Sequence, residues 1–533
     1  MVNHLLNMDS IDVWELFFPR GSGQYYRPLL YLTFFADKHL WGLVPSFMHL
    51  ENIILHLCSS ILVFAIMRHA ARFCSSGYAP APLLAALLFG LHPIATEPVN
   101  WISGRTDVLA LVFILVMFLA LIASMHSVSP VMMNTAGAVV LLCGCLCKET
   151  ALFVLPAVLL WIVSASRELG CVWSSGVRRI IFLIYCCAGG VYLWMRWSAL
   201  SRGDKIVSTV SHVAMNSNSS FELLDVIRVG IKVVGFYTKK LMMPLPLNFA
   251  IVGISPLYIV PGFLVCIGLV YCLYRLDLVS CLLISSFCLL SPSLLLPVLK
   301  ITWTPIAERY AYMAAAPFIM AGVLLFARFV SSSLRTTVVT TMAAIVLVCA
   351  GGATASRNLV WQDNLSLYQD TVSKSPGFHA ARNELAIALH ENGRKEDAYS
   401  LLQTNGTDDF QPASLNKVRV FINKGKLPEA RSLLLGLKRS DREALELLVM
   451  IDELRYKEAS NAAEHTRVDR DLLETNQQLL KISGDPFFHY RSGLVQLRLG
   501  DKAGAKQSFL SAWTQAPLNS HYRSAAKKLS EQL

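Results

Sequence analysis

Long apolar runs, separated by short polar segments, fill the chain as far as about residue 353. Each run has about 17–21 residues, and a helix of that length crosses a hydrocarbon core of ~30 Å. The runs lie near residues 49–68, 82–98, 106–125, 131–147, 149–165, 178–198, 256–274, 278–298, 310–329 and 335–353. The pattern predicts a polytopic helical membrane domain of about ten spans at 49–353, preceded by an outward-facing N-terminal segment at 1–48.

A further apolar stretch at 226–243 contains charged residues that a membrane span avoids. Lys232, Lys239 and Lys240 interrupt it, and a lysine at the centre of the bilayer costs about 2.5–3.5 kcal/mol on insertion scales. Basic residues among apolar ones are typical of a helix that lies in the membrane interface. We therefore predict an interfacial helix here rather than an eleventh span.

After the last span, small and large apolar residues recur in a fixed order. In the segment 486–517 they are Gly493, Gly500, Ala505, Phe509, Ala512 and Pro517. Two earlier segments show the same order, with Ala386, Gly393, Ala398 and Leu402, and with Gly425, Ala430, Leu434 and Leu437. This order matches the 34-residue tetratricopeptide unit, a pair of antiparallel helices. It predicts an all-α solenoid of tetratricopeptide-like repeats at 357–533, with an unrelated helical bundle as the alternative.

The composition supports two solvent environments in one chain. Hydrophobic residues make up 54% of the chain and charged residues 16%, with a mean hydropathy of +0.49. Residues 357–533 hold 25 Lys and Arg and 22 Asp and Glu, so they carry only +3 of the net charge of +11. The rest lies among the spans, where basic loops and anionic lipids explain it. No basic stripe with interleaved aromatic residues indicates nucleic-acid binding.

The distribution of basic residues predicts the topology. With ten spans, one side collects Arg68, Arg72, Arg167, Arg178, Arg179, Arg275, Arg328 and Arg335, and the positive-inside rule makes that side cytoplasmic. Both termini then face outward. The predicted location is a bacterial inner membrane with periplasmic repeats, or an endoplasmic reticulum membrane with lumenal repeats.

Ionisable and polar residues gather at the predicted outward ends of the spans. They are His92, Glu97, Arg105 and Asp107 in HPIATEPVNWISGRTD, Lys148 and Glu149 in CKET, and Glu308, Arg309 and Tyr310 in PIAERYAY. Such groups near a bilayer are costly and mark a functional site or internal ion pairs. Several cations on one face would suit a phosphate, with carboxylates beside them for acid–base work. In the alternative, the pairs Lys148–Glu149 and Glu308–Arg309 only fasten helix ends at the interface.

Four common catalytic and nucleotide-binding motifs are absent from the sequence. It contains no nucleophile elbow, P-loop, Rossmann glycine pattern or HExxH motif. Its cysteines lie mostly inside apolar runs and lack the paired spacing of zinc sites. We therefore expect neither a metal nor a cofactor.

The motifs occur in an order that resembles a known family. YYRPLLYLTFFADKHLWGLVPSFMHLENIILH, HPIATEPVNWISGRTDVLA, KETALFVLP, PIAERYAYM and WQDNLSLYQDTVSKSP follow one another before the repeats. This is similar to the transmembrane and tetratricopeptide-repeat O-mannosyltransferases and their bacterial relatives, which resemble GT-C glycosyltransferases. The resemblance implies transfer of a sugar from a polyprenyl-phosphate carrier in the membrane to an acceptor, expected to be protein hydroxyls, on the outward face. It also implies that the repeats help to hold the acceptor.

The resemblance suggests roles for the outward residues. Arg105, Lys148 and Arg309 would bind the carrier phosphate, supported by a polar set of His92, Glu97, Asp107, Glu149, Glu308 and Tyr310. Family members normally begin with a further membrane helix and an acidic pair, where the catalytic base is expected. Met1 stands at about the point where that pair would have passed, and Asp9, Asp12 and Glu15 do not match it.

The catalytic residue is therefore unassigned, with the base expected upstream of Met1 or lost. A non-catalytic membrane anchor that presents a repeat scaffold for assembling partners is the alternative function.

Overall fold

The described part of the chain is almost entirely helical. The computed structural model describes residues 13–18, 26–70, 79–168, 173–200, 223–299, 304–328, 333–403, 411–423, 425–436, 442–516, 520 and 522–533. Within these ranges no strand is present, and one isolated bridge pairs Ile251 with Ile306. The chain divides into two compact units, Met1–Ser375 and Pro376–Leu533. The predicted all-α fold is confirmed.

The first unit contains fifteen α-helices within the described residues. They are α1 (Val13–Phe17), α2 (Pro28–Trp41), α3 (Pro45–Ala70), α4 (Ala81–Gly90), α5 (Thr96–Asn100), α6 (Arg105–Ser124), α7 (Pro130–Cys147), α8 (Leu155–Glu168), α9 (Ser175–Leu200), α10 (Leu223–Met242), α11 (Ile259–Arg275), α12 (Leu278–Leu299), α13 (Tyr312–Ala327), α14 (Ser333–Val360) and α15 (Asn364–Lys374). Short 3₁₀ helices join several of them, at Pro93–Ala95, Ile102–Gly104, Glu149–Val154, Pro256–Tyr258 and Glu308–Ala311.

Eight helices in the described residues are long and apolar enough to cross a membrane. They are Pro45–Ala70, Ile102–Ser124, Pro130–Cys147, Ser175–Ala199, Pro256–Arg275, Leu278–Val298, Glu308–Ala327 and Thr337–Val360. The two other predicted spans differ from regular helices. The span at 82–98 is a pair of helices, Ala81–Gly90 and Pro93–Asn100, that bends by 43°. The span at 149–165 is a shorter apolar helix, Glu149–Ser164. The chain is a multi-pass membrane protein.

Helix α10, predicted to be interfacial, is not among the eight candidate spans. It packs closely against the start of α11, because Gly235 and Gly262 face each other's backbone. A Cβ atom on Gly235 would lie 2.0 Å from the carbonyl oxygen of Tyr258, and one on Gly262 would lie 1.9 Å from that of Ile231. No larger residue fits either position without separating the helices.

The boundary between the units lies at Ser375–Pro376 rather than at the predicted residue 357. Helix α15 remains in the first unit because polar contacts hold it there. Arg357 forms a 2.5 Å ion pair with Asp370, and Lys374 donates a 2.9 Å hydrogen bond to the carbonyl oxygen of Leu247. Asn248 Nδ2 donates to Ser375 Oγ at 2.8 Å. The charged composition of this helix resembles that of the repeats, so the sequence alone does not reveal these contacts with the first unit.

The second unit consists of successive helices that pack against their neighbours. They are α16 (His379–Glu391), α17 (Lys395–Gln403), α18 (Gln411–Asn423), α19 (Leu427–Gly436), α20 (Arg442–Glu458), α21 (Ala462–Ser483), α22 (Phe487–Arg498), α23 (Lys502–Gln515) and α24 (Arg523–Gln532). Leu437 and Pro517 of the repeat pattern, like Asp9 and Asp12 near the N-terminus, lie outside the described residues.

The repeat pattern has a direct structural cause. Gly393, Gly425 and Gly500 have φ angles of 78°, 71° and 81°, a left-handed conformation that glycine adopts without strain. Each glycine lies between the two helices of its pair. The alanine five residues later is buried in all three pairs, so its small side chain lets the two helices approach.

Candidate functional site

The predicted site residues lie where several helices of the first unit begin. Arg105 and Asp107 start α6, Lys148 and Glu149 follow α7, and Arg309 precedes α13. The segments before these helices are short 3₁₀ helices, which place polar side chains against neighbouring elements. Gly104 allows the backbone before α6 to pack directly against Pro98, since a Cβ there would lie 2.3 Å from the carbonyl oxygen of Pro98.

Lys148 and Glu149 each form an ion pair with a different helix. Lys148 binds Asp107, and both side chains are at least nine-tenths buried. Arg27, just before α2, grips both carboxylate oxygens of Glu149 at 2.7 and 2.9 Å. The two pairs lie close enough for the charges of Arg27 and Lys148 to interact directly. This group therefore joins α2, α6 and α7.

Arg309 and Glu97 form a buried ion pair that further hydrogen bonds support. Arg309 Nη1 lies 2.5 Å from Glu97 Oε1, and its backbone N–H donates to Glu97 Oε2 at 3.1 Å. Arg309 Nη2 also donates to Thr304 Oγ1 at 2.7 Å. The guanidinium lies over the rings of Trp101 and Tyr310, 5.1 and 4.8 Å from their centroids. Such stacking suits arginine and excludes lysine as an equivalent.

Glu308 faces the other way from its neighbour Arg309. Its carboxylate lies 2.5 Å from Lys240 Nζ of helix α10 and accepts the backbone N–H of Asn248 at 3.0 Å. Lys240 and Glu308 are both buried. The pair therefore fastens α10 to the start of α13. Tyr310 donates its hydroxyl to the carbonyl oxygen of Thr304 at 3.3 Å.

Arg105 lies in a separate group, and its side chain is only 1% exposed. It is held by two carboxylates, Asp37 of α2 and Glu51 of α3, each at 2.6 Å. Phe34 covers the guanidinium at 4.8 Å. Burial raises the pKa of the Asp37 carboxyl, an effect that Arg105 opposes and Glu51 reinforces. One cation between two carboxylates leaves this group with an excess of negative charge.

His92 links the site to helix α10. Its Nδ1 accepts the backbone N–H of Ile94 at 3.3 Å, and its Nε2 lies 3.2 Å from the carbonyl oxygen of Leu241. These contacts imply a neutral ring with the proton on Nε2, since one nitrogen must accept and the other donate. His92 therefore caps the 3₁₀ helix at Pro93–Ala95 and holds the end of α10.

Two of the three predicted phosphate ligands interact with one carboxylate. Asp107 forms the ion pair with Lys148 and also contributes a weaker, longer-range attraction to Arg309. Arg105, two residues before Asp107 on α6, points to a different side of the helix, as this spacing requires. The adjacent pairs Lys148–Glu149 and Glu308–Arg309 are not bonded internally, because each residue binds a different helix.

Sequence reasoning missed Asp37 and Glu51 and did not find a partner for Lys240. Asp37 and Glu51 lie within one of the motifs that resemble the family. Each is a single charge in an apolar segment, and the sequence does not show which residue it pairs with. In the sequence, Lys240 only interrupts an apolar run. Its burial beside Glu308 explains why a lysine is tolerated there.

The site is a network of buried ion pairs rather than a cluster of free cations. Each of Arg105, Lys148 and Arg309 has a carboxylate within ion-pair distance. Removing one partner of a buried pair costs about 3–5 kcal/mol, because the other charge is left uncompensated. Within the described ranges, no group of three or more His, Cys, Asp or Glu side chains is placed to hold a metal ion.

Comparison with known proteins gives short but clear similarities. The chain is 42% identical over 107 residues to the Homo sapiens protein O-mannosyl-transferase TMTC4, and 43% identical over 99 residues to Homo sapiens TMTC1. It is 38% identical over 112 residues to Mus musculus TMTC2. The matches cover 18%, 19% and 21% of this chain and 14%, 11% and 13% of the relatives.

The chain thus aligns with well under two thirds of each of these relatives. No family model matches the chain, and no solved structure does. The curated homologues of this chain are the protein O-mannosyl-transferases TMTC1 to TMTC4, matched over about a fifth of its length.

Proposed function

We propose that this protein is a membrane glycosyltransferase that moves a sugar, mannose in the first instance, from a polyprenyl-phosphate carrier to protein hydroxyl groups. The observation that carries the proposal is the similarity to proteins named protein O-mannosyl-transferases. The buried polar network at one end of a multi-pass helical unit supports it, because such groups are costly near a membrane without a function.

The proposed reaction exchanges one bond at the anomeric carbon. The acceptor hydroxyl forms a new C–O bond as the bond between the sugar and the carrier phosphate breaks. The phosphate leaves with the bonding electron pair, and the hydroxyl proton passes to a base that is not assigned to a residue. The ion pairs keep the ends of α2, α6, α7, α10 and α13 in fixed positions, which pre-organises a site for this exchange.

The roles of Arg105, Lys148 and Arg309 as phosphate ligands stay a prediction. A phosphate at any of them competes with the carboxylate already bound. Arg105 is the least suited, because it lies between two carboxylates and is almost fully buried. The ends of Lys148 and Arg309 are slightly exposed, at 9% and 10% of their side chains.

The repeats are proposed to hold the acceptor polypeptide. Helices α16, α17 and α18 line a half-open cavity of about 220 Å³ with an apolar floor and a polar rim. Its floor includes Ala386, Ala398 and Leu402, and its rim includes His390 and Arg419. A cavity of this kind suits one apolar side chain of an extended segment. The proposed location of the repeats is the outward side, periplasmic or lumenal.

Transfer by the reconstituted full chain tests the proposal. Proteoliposomes receive polyprenyl-phosphate [³H]mannose and serine- or threonine-containing peptides, and label in the peptide is measured. We expect incorporation, and a loss of about 10²-fold in Lys148→Gln or Arg309→Gln, since each removes a charge-assisted contact. Arg275→Gln, a change at an exposed position at the end of α11 that forms none of the ion pairs of the network, is the matched control and should retain activity. Absence of transfer across a range of sugars would overturn the proposal.

A second candidate, a non-catalytic anchor for a repeat scaffold, is favoured by one observation. Every predicted phosphate ligand is already neutralised by a carboxylate. This candidate predicts no sugar transfer by any version of the chain and no effect of Lys148→Gln beyond lower stability. Measured transfer that depends on Lys148 and Arg309 in folded variants would exclude it.

A further inference from the structure

Helix α10 carries cations that the ion-pair network does not use. It contains Arg228, Lys232, Lys239 and Lys240, against one acidic residue, Asp225. Lys240 is bound to Glu308. In the part of the chain that the structure describes, Arg228 and Lys232 form neither an ion pair nor a hydrogen bond. These two differ in this respect from Arg105, Lys148 and Arg309.

The unused cations share one side of the helix. Arg228, Lys232 and Lys239 are spaced by four and seven residues, which brings them to the same side of an α-helix. Arg228 is exposed and Lys232 is half-buried. Lys239 donates to the carbonyl oxygen of Leu245. Asp225 is exposed and lies three residues before Arg228, so it shares this side. Three cations and one carboxylate leave the side with a net positive charge that is complementary to an anion.

Apolar side chains on the same helix are also exposed. Leu224, Ile227 and Met242 have 73%, 48% and 74% of their surface accessible. A helix with exposed apolar residues and a basic side suits the boundary between hydrocarbon and head groups. The charged groups that lie at this level of a membrane are lipid phosphates, and basic residues near them contribute to lipid binding.

The cationic side is attached to the candidate site. Lys240 follows Lys239 directly and binds Glu308, the neighbour of Arg309. His92 holds the carbonyl oxygen of Leu241 at 3.2 Å. The close approach of Gly235 to Tyr258 fixes the helix against α11. Helix α10 is therefore a rigidly docked element, with its C-terminal end in the network.

We propose that Arg228 and Lys232, with Lys239 beside them, bind the phosphate of a membrane lipid. The chemistry is shared by an anionic phospholipid and by a polyprenyl phosphate, and both present the group at the depth expected for this helix. The proposal does not depend on sugar transfer, since it concerns binding alone. If the lipid is the carrier, α10 rather than the three predicted cations supplies the main phosphate contacts.

Native mass spectrometry of the full chain in detergent tests the proposal. Phosphatidylglycerol, a polyprenyl phosphate and zwitterionic phosphatidylcholine are added separately, and bound lipid is counted. We expect binding of both anionic lipids in excess of phosphatidylcholine. Each basic residue near lipid phosphates raises the affinity for an anionic lipid about fivefold. Arg228→Gln with Lys232→Gln should therefore lower that affinity by ~25-fold. The conservative exchange Arg228→Lys with Lys232→Arg should retain it.

The matched control removes two exposed cations of the second unit, away from the membrane spans. Lys506→Gln with Lys528→Gln makes the same change in net charge and should leave anionic lipid binding unchanged. A preference for the polyprenyl phosphate identifies the carrier, equal binding identifies anionic lipids in general, and either supports the proposal. Binding that survives the Arg228 and Lys232 changes, or falls equally in the control, would overturn it. Displacement by millimolar inorganic phosphate alone would also overturn the requirement for a lipid.

Discussion

At the scale of single residues, buried charges define the membrane unit. Arg105 shows this most clearly, because its guanidinium satisfies Asp37 and Glu51 and is covered by Phe34. A lone charge would be very costly in such a place, whereas a paired one is tolerated. Arg105 is therefore a structural cation first, whatever further role it has.

Arg105→Gln should lower the stability of the full chain by about 3–5 kcal/mol, because it leaves two carboxylates facing each other without a counter-charge. The measurement is the thermal unfolding midpoint of purified protein in detergent. Adding Asp37→Asn to this variant should recover part of the loss, since it removes one of the uncompensated charges. Arg275→Gln, at an exposed position, serves as the control. An unchanged midpoint in Arg105→Gln would contradict the proposed structural role.

At the scale of helices, the local sequence pattern predicts where helices form but not which charged residues pair between them. Apolar runs and the glycine–alanine spacing predicted the helices and the repeat turns, because both are set by neighbouring residues. The partners of the charges are distant in sequence. Arg27 and Glu149 are separated by 122 positions, and Glu97 and Arg309 by 212. Only the packing of α2, α6, α7 and α13 decides these pairs, so a single sequence could not assign them.

The repeat pattern predicts that Phe509 fills the interface between the two helices of its unit, and the structure identifies the residues it contacts there. Phe509 is fully buried, and a Cβ on Gly493 would lie 2.7 Å from its ring, so the two residues fill one interface between α22 and α23. Phe509→Ala should cost about 3–5 kcal/mol locally. Hydrogen exchange of the full chain should then be faster by ~10²-fold or more for buried amides of α22 and α23.

Leu510→Ala is the matched control for this change. Leu510 follows Phe509 on the same helix but is 47% exposed, so its loss leaves no cavity. Equal protection in the two variants would mean that the helices do not meet at Phe509. Faster exchange confined to Phe509→Ala supports the pairing of α22 with α23.

At the scale of the whole membrane unit, the ion pairs constrain the number of crossings. Three long candidate spans and the bent pair α4–α5 lie between Arg27 and Glu149, so these residues share a side only if the bent pair crosses. Five long spans and the short helix at Glu149–Ser164 lie between Glu97 and Arg309. That ion pair requires the short helix to cross as well. Eight or nine crossings would separate one of the pairs, whereas ten satisfy both.

A hydrogen bond at the opposite ends of the spans also supports ten crossings. Trp173 Nε1 donates to the carbonyl oxygen of Ser124 at 2.9 Å, and the short helix and α7 lie between them. These two residues share a side only if both segments cross. Ion pairs and hydrogen bonds thus indicate that the bent and the short segments cross the membrane, which helix length alone does not. Such segments can cross where neighbouring helices cover their polar backbone.

Single cysteines at four positions test this topology. Ala79, Val128 and Ser174 are exposed positions outside the spans, and the count of ten places all three on one side, which the positive-inside rule makes cytoplasmic. Five long spans separate Ser174 from Ser520, so Ser520 should face outward. Each cysteine is placed in a background without the native cysteines. An impermeant maleimide should then label Ser520→Cys in intact cells, and the other three only after permeabilisation.

Labelling of Val128→Cys without Ser174→Cys would show that the short helix does not cross. A difference between Ala79→Cys and Val128→Cys would show the same for the bent pair, and either result would break the ion pairs that assemble the site.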